Sequence, residues 1–152
     1  HRWISAGEAT SDVQVLTAAE VVDTEPSDFD MKYWPHVPLG EFYQNTIQRL
    51  EKRCSGFSQE KLHPQRPSLT LTSKADCKLH WDTCRRLTYR EWKRLGSFPD
   101  DYQAKTDKIG KYMIGMSVPP KMTEQVARAV CEQWLNVNYS ELSNDNQAQN
   151  PH

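Results

Sequence analysis

Arg86-Leu87-Thr88-Tyr89-Arg90-Glu91-Trp92-Lys93-Arg94-Leu95-Gly96-Ser97-Phe98-Pro99-Asp100-Asp101-Tyr102 carries the clearest local signals in the chain. A threonine followed three residues later by a glutamate is a capping box, in which each side chain satisfies a backbone N–H that the first helical turn leaves free. A helix is therefore predicted from Thr88, with Trp92 and Leu95 on its buried side and Gly96 placed to end it. Phe98 to Tyr102 follows as a turn carrying two aromatic rings.

Downstream, Lys111 to Val118 leads into Pro119-Pro120, and a helix is expected from near Thr123. On it Val126, Ala127, Val130, Cys131, Trp134 and Leu135 follow the rows of one apolar face, which reads as core. Residues 137–152 are polar and rich in Asn and Gln, and are expected to form a disordered tail. Upstream, Ser68-Leu69-Thr70-Leu71-Thr72 alternates apolar and hydroxyl side chains, as a half-buried strand does. Lys74 to Cys84 reads as charged and irregular, and Gly56 to Pro67 as basic loop. Phe42, Ile47 and Leu50 are helically spaced within Leu39 to Arg53, and Gly56 lies just beyond. Tyr33 to Pro38 is too proline-rich for a central strand or helix. The first thirty residues are acidic, with a strand-like run at Val13 to Leu16, a helical look at Thr17 to Val22, and a loop from Asp23 to Asp30. Phe29, Tyr33, Trp34, Phe42 and Tyr43 read as the core of a small domain rather than a base-stacking platform.

The chain has 152 residues, enough to bury a core without disulfides or metal. No apolar run approaches the roughly 20 residues of a membrane span. No signal-like stretch follows His1, so a cytoplasmic protein with reduced thiols is expected, and the absence of an initiating methionine suggests a piece of something longer. The formal net charge of −1 hides an uneven distribution: residues 49–94 carry 12 basic and 5 acidic side chains, inside an otherwise acidic chain. Such a block can neutralise phosphates, although a solvated face has the same composition. Cys77, His80 and Cys84, with Cys54 or His63, are loosely admissible as zinc ligands. They lack a Cys-x2-Cys pair and read better as ordinary residues of a recognition loop, so no metal is expected.

The 86–102 stretch resembles the ninth conserved motif of DNA cytosine-5 methyltransferases: an arginine, leucine and threonine, then Arg-Glu, an Arg-Leu pair and a Phe-Pro-Asp turn. Tyr112-Met113-Ile114-Gly115-Met116-Ser117-Val118-Pro119-Pro120 resembles the tenth, an Ile-Gly-Asn-Ser/Ala-Val-Pro run followed by a helix. Pro67 to Thr72 is similar to the Pro-x-x-Thr strand that closes the family's target recognition domain. The resemblance covers residues 66–136 and leaves residues 1–60 as the variable part.

An α+β architecture is what the resemblance implies. Residues 1–84 would form the target-recognition region, with short strands. Residues 85–136 would carry the conserved motifs and a final helix, packing in the whole enzyme on a Rossmann-like catalytic domain; without that domain the Val126, Val130 and Trp134 face should be exposed, self-associated or folded back. Arg90 and Glu91 would be scaffold charges. Gly115, Met116, Ser117 and Val118 would complete one wall of the S-adenosyl-L-methionine pocket. Met116 stands where the family has asparagine, and a thioether cannot replace an amide's hydrogen bonds. Lys74, Lys78, Arg85 and Arg86, flanking His80 and Trp81, would contact duplex DNA.

The family's chemistry also needs a thiolate that adds to the cytosine ring and a target base swung out of the duplex. No cysteine here follows a proline, and the Glu-Asn-Val, Phe-x-Gly-x-Gly and Gln-x-Arg-x-Arg segments are missing as well. The chain is thus expected to be inert alone and to need a catalytic part, on the same gene product or a separate chain. A stand-alone DNA-binding module and a degenerate remnant are the alternatives.

Overall fold

The structure, a computed structural model, describes residues 2–13, 15–56, 59–74 and 77–135. The expected tail at 137–152 lies outside them. The chain divides into two compact units, His1–Ser117 and Val118–His152.

In the first unit, side-chain caps set the starts of most of the helices. α1 (Ala6–Ala9) opens on Ser5, and α2 (Ala18–Asp23) on a capping box between Thr17 and Glu20. α3 (Asp28–Tyr33) opens on a second box, between Ser27 and Asp30. A 3-10 turn, Trp34–His36, takes Pro35 inside it and leads towards α4 (Tyr43–Glu51). Two strands of two residues each, β1 (Glu60–Lys61) and β2 (Lys78–Leu79), pair in parallel. α5 (Tyr89–Leu95) opens on the Thr88–Glu91 box and ends at Gly96, as its sequence predicts. α6 (Asp107–Met116) is capped by Thr106.

Two apolar clusters hold this unit. Ala6, Leu62, Cys77, Leu87, Tyr89, Trp92, Phe98 and Ile114 form one. Tyr33, Val37, Tyr43, Ile47 and Leu79 form the other, with Phe29 and Trp34 packed on it, so four of the five aromatic residues expected as core lie in or against it; Phe42, half-buried, is the exception. The first cluster joins residues from both sides of position 84. The small sheet supplies both clusters, since Leu79 of β2 enters the second and Leu62, just past β1, enters the first.

Several local expectations are corrected. Ser68 to Thr72 joins no ladder among the described residues. Its backbone instead lies so close to α6 that a Cβ on Gly115 would fall 2.1 Å from the Thr72 carbonyl oxygen. The strands arise where loop was expected, because Glu60 and Lys78 are register partners whose buried charges pair with each other. Charged residues in so short a ladder look like surface to any hydrophobic pattern. Val13 to Leu16 is not a strand among its described residues: Val13 is buried while Val15 is exposed. The loop expected at 23–30 gives way at Asp28 to α3, whose box uses aspartate where the usual signature has glutamate.

In the second unit, α7 (Pro120–Trp134) starts three residues before Thr123, with Pro120 at its first position, where a missing N–H costs no bond. Its apolar stripe, which reads as core in a whole enzyme and as exposed where the covering domain is absent, is exposed here, and α7 buries no residue. Val126, Val130, Trp134 and Leu135 are all exposed, Trp134 by 80%.

Candidate functional site

Gly115, Met116, Ser117 and Val118 follow one another at the end of α6 and just past it. At Gly115 the missing side chain serves the protein's own packing, since the Thr72–Ser73 backbone fills the place a Cβ would take. The Ser117 hydroxyl donates to the Met113 carbonyl at 2.6 Å, and its N–H donates to Ile114, which closes the helix. Met116 and Val118 are exposed, by 66% and 62%. This segment can therefore offer an apolar wall and the acceptor side of one hydroxyl. It offers no carboxamide. Along α6, Ile109, Tyr112, Met113 and Met116 continue the exposed apolar row at helical spacing.

The four basic residues of the recognition segment do not share a surface. Lys74 is exposed. Lys78 is buried and paired with Glu60. Arg85 is buried and grips Glu91 with two parallel bonds, of 2.8 and 2.7 Å. Arg86, partly buried, reaches Asp30 at 3.5 Å, and its N–H donates to the Thr24 carbonyl. Lys78 and Arg85 therefore direct their charge inward, which leaves Lys74 as the exposed cation of the set. A count of basic residues could not distinguish these environments. The signal that could was the glutamate six residues after Arg85, on the face that the capping box already fixes.

Around α5 the charges form a frame. Burial alone would raise the Glu91 carboxyl, but the Arg85 guanidinium and the Thr88 N–H outweigh it and hold it below the usual range. Arg90 donates to both Glu20 oxygens and to the Val15 carbonyl, and holds Glu20 down at about 2. Arg94 joins Asp12 and Asp100. The contacts to Asp12, Val15 and Glu20 tie the helix of the ninth-motif segment to residues seventy or more positions earlier. The Arg90 and Glu91 side chains thus act as scaffold.

His80 sits inside this frame, stacked on Trp81 at 4.0 Å between ring centres. Its Nδ1 accepts the Asp82 and Thr83 N–H groups, which places the proton of the neutral ring on Nε2. Burial, reinforced by the Arg85 cation, pushes its pKa down to about 4. Neither His80 nor the cysteines belong to any cluster of three or more metal-ligating side chains among the described residues.

The second apolar cluster presents α4 with Tyr43, Thr46 and Ile47 inward. Its opposite side carries Gln44, Asn45, Gln48 and Arg49. With Glu41, Cys54 and Ser55 they line a groove of about 500 Å³. Sequence reasoning did not single out this groove, because its residues belong to no motif.

Comparison with known proteins adds the remaining finding. The profile of a family described as C-5 cytosine-specific DNA methylase matches residues 8–132. The chain is 36% identical over 88 residues to Type II methyltransferase M.BbvI of Brevibacillus brevis, covering 55% of this chain and 23% of that protein. It is 32% identical over 108 residues to DNA (cytosine-5-)-methyltransferase M.ApeKI of Aeropyrum pernix, covering 67% and 23%. It is 33% identical over 100 residues to Type II methyltransferase M.AquIB of Picosynechococcus sp., covering 57% of this chain and 72% of that one. The chain thus spans under a quarter of the first two relatives and most of the third. No solved structure gives a significant match.

Proposed function

From the premise that this chain belongs to the C-5 cytosine-specific DNA methylase family, we propose that it is the DNA-recognising, cofactor-wall portion of such an enzyme. It acts on duplex DNA once it is joined to a part that carries the Pro-Cys loop. The observation that carries this reading is the exposed apolar stripe of α7, with Val126, Val130 and Trp134 at a spacing that marks a face made to be covered. The catalytic part is the occupant we assign to it. Support comes from M.AquIB: 100 aligned residues make up 72% of it, so a relative of comparable length exists as a separate chain.

S-adenosyl-L-methionine, when bound, supplies the sulfonium methyl group for cytosine C5. The residues present fit one side of such a pocket. Met116 and Val118 would give it apolar contact, Ser117 would offer a lone pair, and Gly115 would fix the end of α6 against Thr72. Met116 would hold the ligand less tightly than an amide, because its sulfur is a weak acceptor and donates nothing. Lys74 would contact phosphate. No residue here can serve as the thiolate nucleophile after a proline, so the chain alone would transfer no methyl group.

A rival reading, a stand-alone DNA-binding module, draws on the two apolar clusters that residues of the first unit bury by themselves. Titrating the chain with a catalytic-part polypeptide from a family member separates the two. The proposed reading expects saturable association that quenches or shifts Trp134 fluorescence and is abolished by Val130→Asp. A stand-alone module would bind duplex DNA and ignore that polypeptide.

A further inference from the structure

We propose that the outer face of α4 is a base-reading surface that enters the major groove of the target duplex. The inference rests on the DNA-recognising role argued above and assigns part of its specificity to Gln44, Asn45, Gln48 and Arg49.

First, the helix is presented rigidly. Tyr43 and Ile47 are wholly buried in the second apolar cluster and Thr46 is buried as well, which fixes the rotation of α4 about its own axis. Gln44, Asn45, Gln48 and Arg49 are all exposed on the other side. An α-helix with its side chains is about 10–12 Å across, which the B-DNA major groove, about 12 Å wide, admits, and the nine residues of α4 give about two and a half turns along it.

Second, the chemistry suits base edges better than a solvated face. An ordinary exposed helix gains from oppositely charged residues four apart. Here the pairs at that spacing are Gln44 with Gln48 and Asn45 with Arg49. A carboxamide both donates and accepts, which matches adenine N6 and N7, while a guanidinium matches guanine O6 and N7. Among the described residues no hydrogen bond occupies the three carboxamide ends. Arg49 is held in place, because one nitrogen, Nη2, donates to Thr46 at 2.9 Å and to Glu41 at 3.2 Å. Its Nε and Nη1 remain for a ligand. Just past the helix, Lys52, in a left-handed turn, is exposed and supplies a cation that a backbone phosphate could take.

The test uses the full chain and a pool of randomised duplexes. Sequences retained by the wild type are compared with those retained by Asn45→Ala, Gln48→Ala and Arg49→Ala. Unchanged thermal unfolding midpoints would show that these exposed substitutions leave the fold intact. The inference expects each variant to lose preference at one or two adjacent base pairs, on the order of 10- to 100-fold per pair. Affinity for the unselected pool and its salt dependence should stay as in the wild type. Variants that retain the wild-type sequence preference would overturn the assignment of α4 while leaving the DNA-recognising role standing. A wild-type chain that retains no duplex at any salt concentration would overturn both.

Discussion

Replacing Arg85 with methionine removes one half of a buried ion pair and keeps much of its volume. Arg85 and Glu91 are 10% and 1% exposed in their side chains and meet through two bonds shorter than 3 Å. Without the guanidinium, the Glu91 carboxylate keeps only the Thr88 N–H at 2.8 Å. Breaking such a pair from one side costs about 3–5 kcal/mol, against a total of roughly 5–15 kcal/mol for a domain. A well-packed apolar pair is often no less stable than a buried ion pair, so Arg85→Met with Glu91→Leu should recover most of the loss. The residual deficit should be about 1 kcal/mol, from the capping box that Glu91 also completes. Urea unfolding at pH 7, followed by tryptophan fluorescence, measures all three proteins. A single variant within about 1 kcal/mol of the wild type, or a double variant no better than the single, would refute the reasoning. A single variant of unchanged stability but weakened duplex binding would return Arg85 to the role of phosphate contact.

Gly115→Ala should lower the unfolding free energy by about 3 kcal/mol, because the new Cβ meets backbone rather than a movable side chain; a thermal melt checks this. Because His80 is held neutral with its pKa lowered to about 4, the unfolded chain binds more protons than the folded one between about 4 and the ordinary 6.5. Stability should thus fall as pH drops through that window, by up to about 3 kcal/mol in all. The groups facing the ring are Arg85, Glu91 and Asp82, and denaturation curves of His80→Asn should lose this slope if the ring is its source. Lys74→Ala should reduce the salt slope of duplex binding by about one, with stability unchanged. Lys78→Ala should instead unfold at a much lower denaturant concentration, since it strands Glu60 in the core.

Much of the first unit was legible where the signal is local. The Thr88 box, the Gly96 stop and the aromatic turn at 98–102 follow from backbone chemistry within a few residues, and each is found in place. A helix within 39–53 was legible from the spacing of Phe42, Ile47 and Leu50, but of these only Ile47 is buried: Phe42 is the N-cap of α4 and Leu50 is exposed, while Tyr43 takes the inward place. The β1–β2 ladder was not legible, because two residues per strand give no period, and the pairing of Glu60 with Lys78 depends on segments eighteen residues apart. The direction of each basic side chain was equally hidden: Lys74 and Lys78 lie four apart in one irregular segment, yet one is exposed and the other buried. The α7 stripe was legible as apolar, and its exposure agrees with a face expected to lie open when the domain it would cover is absent; a sequence pattern shows that a face seeks a partner but not where the partner lies. The residues expected at the cofactor wall rest on a resemblance alone. What the structure adds is that Gly115 is explained by packing against Thr72.

The most direct measurement of the account is transfer of tritiated methyl groups from S-adenosyl-L-methionine to duplex DNA, with this chain and a catalytic-part polypeptide supplied separately and together. The account predicts label on cytosine only in the combined reaction, and its loss when the Pro-Cys nucleophile of the partner is replaced. Label deposited by this chain alone, or by the partner at the same rate and on the same sequences without it, would contradict the division of labour proposed here.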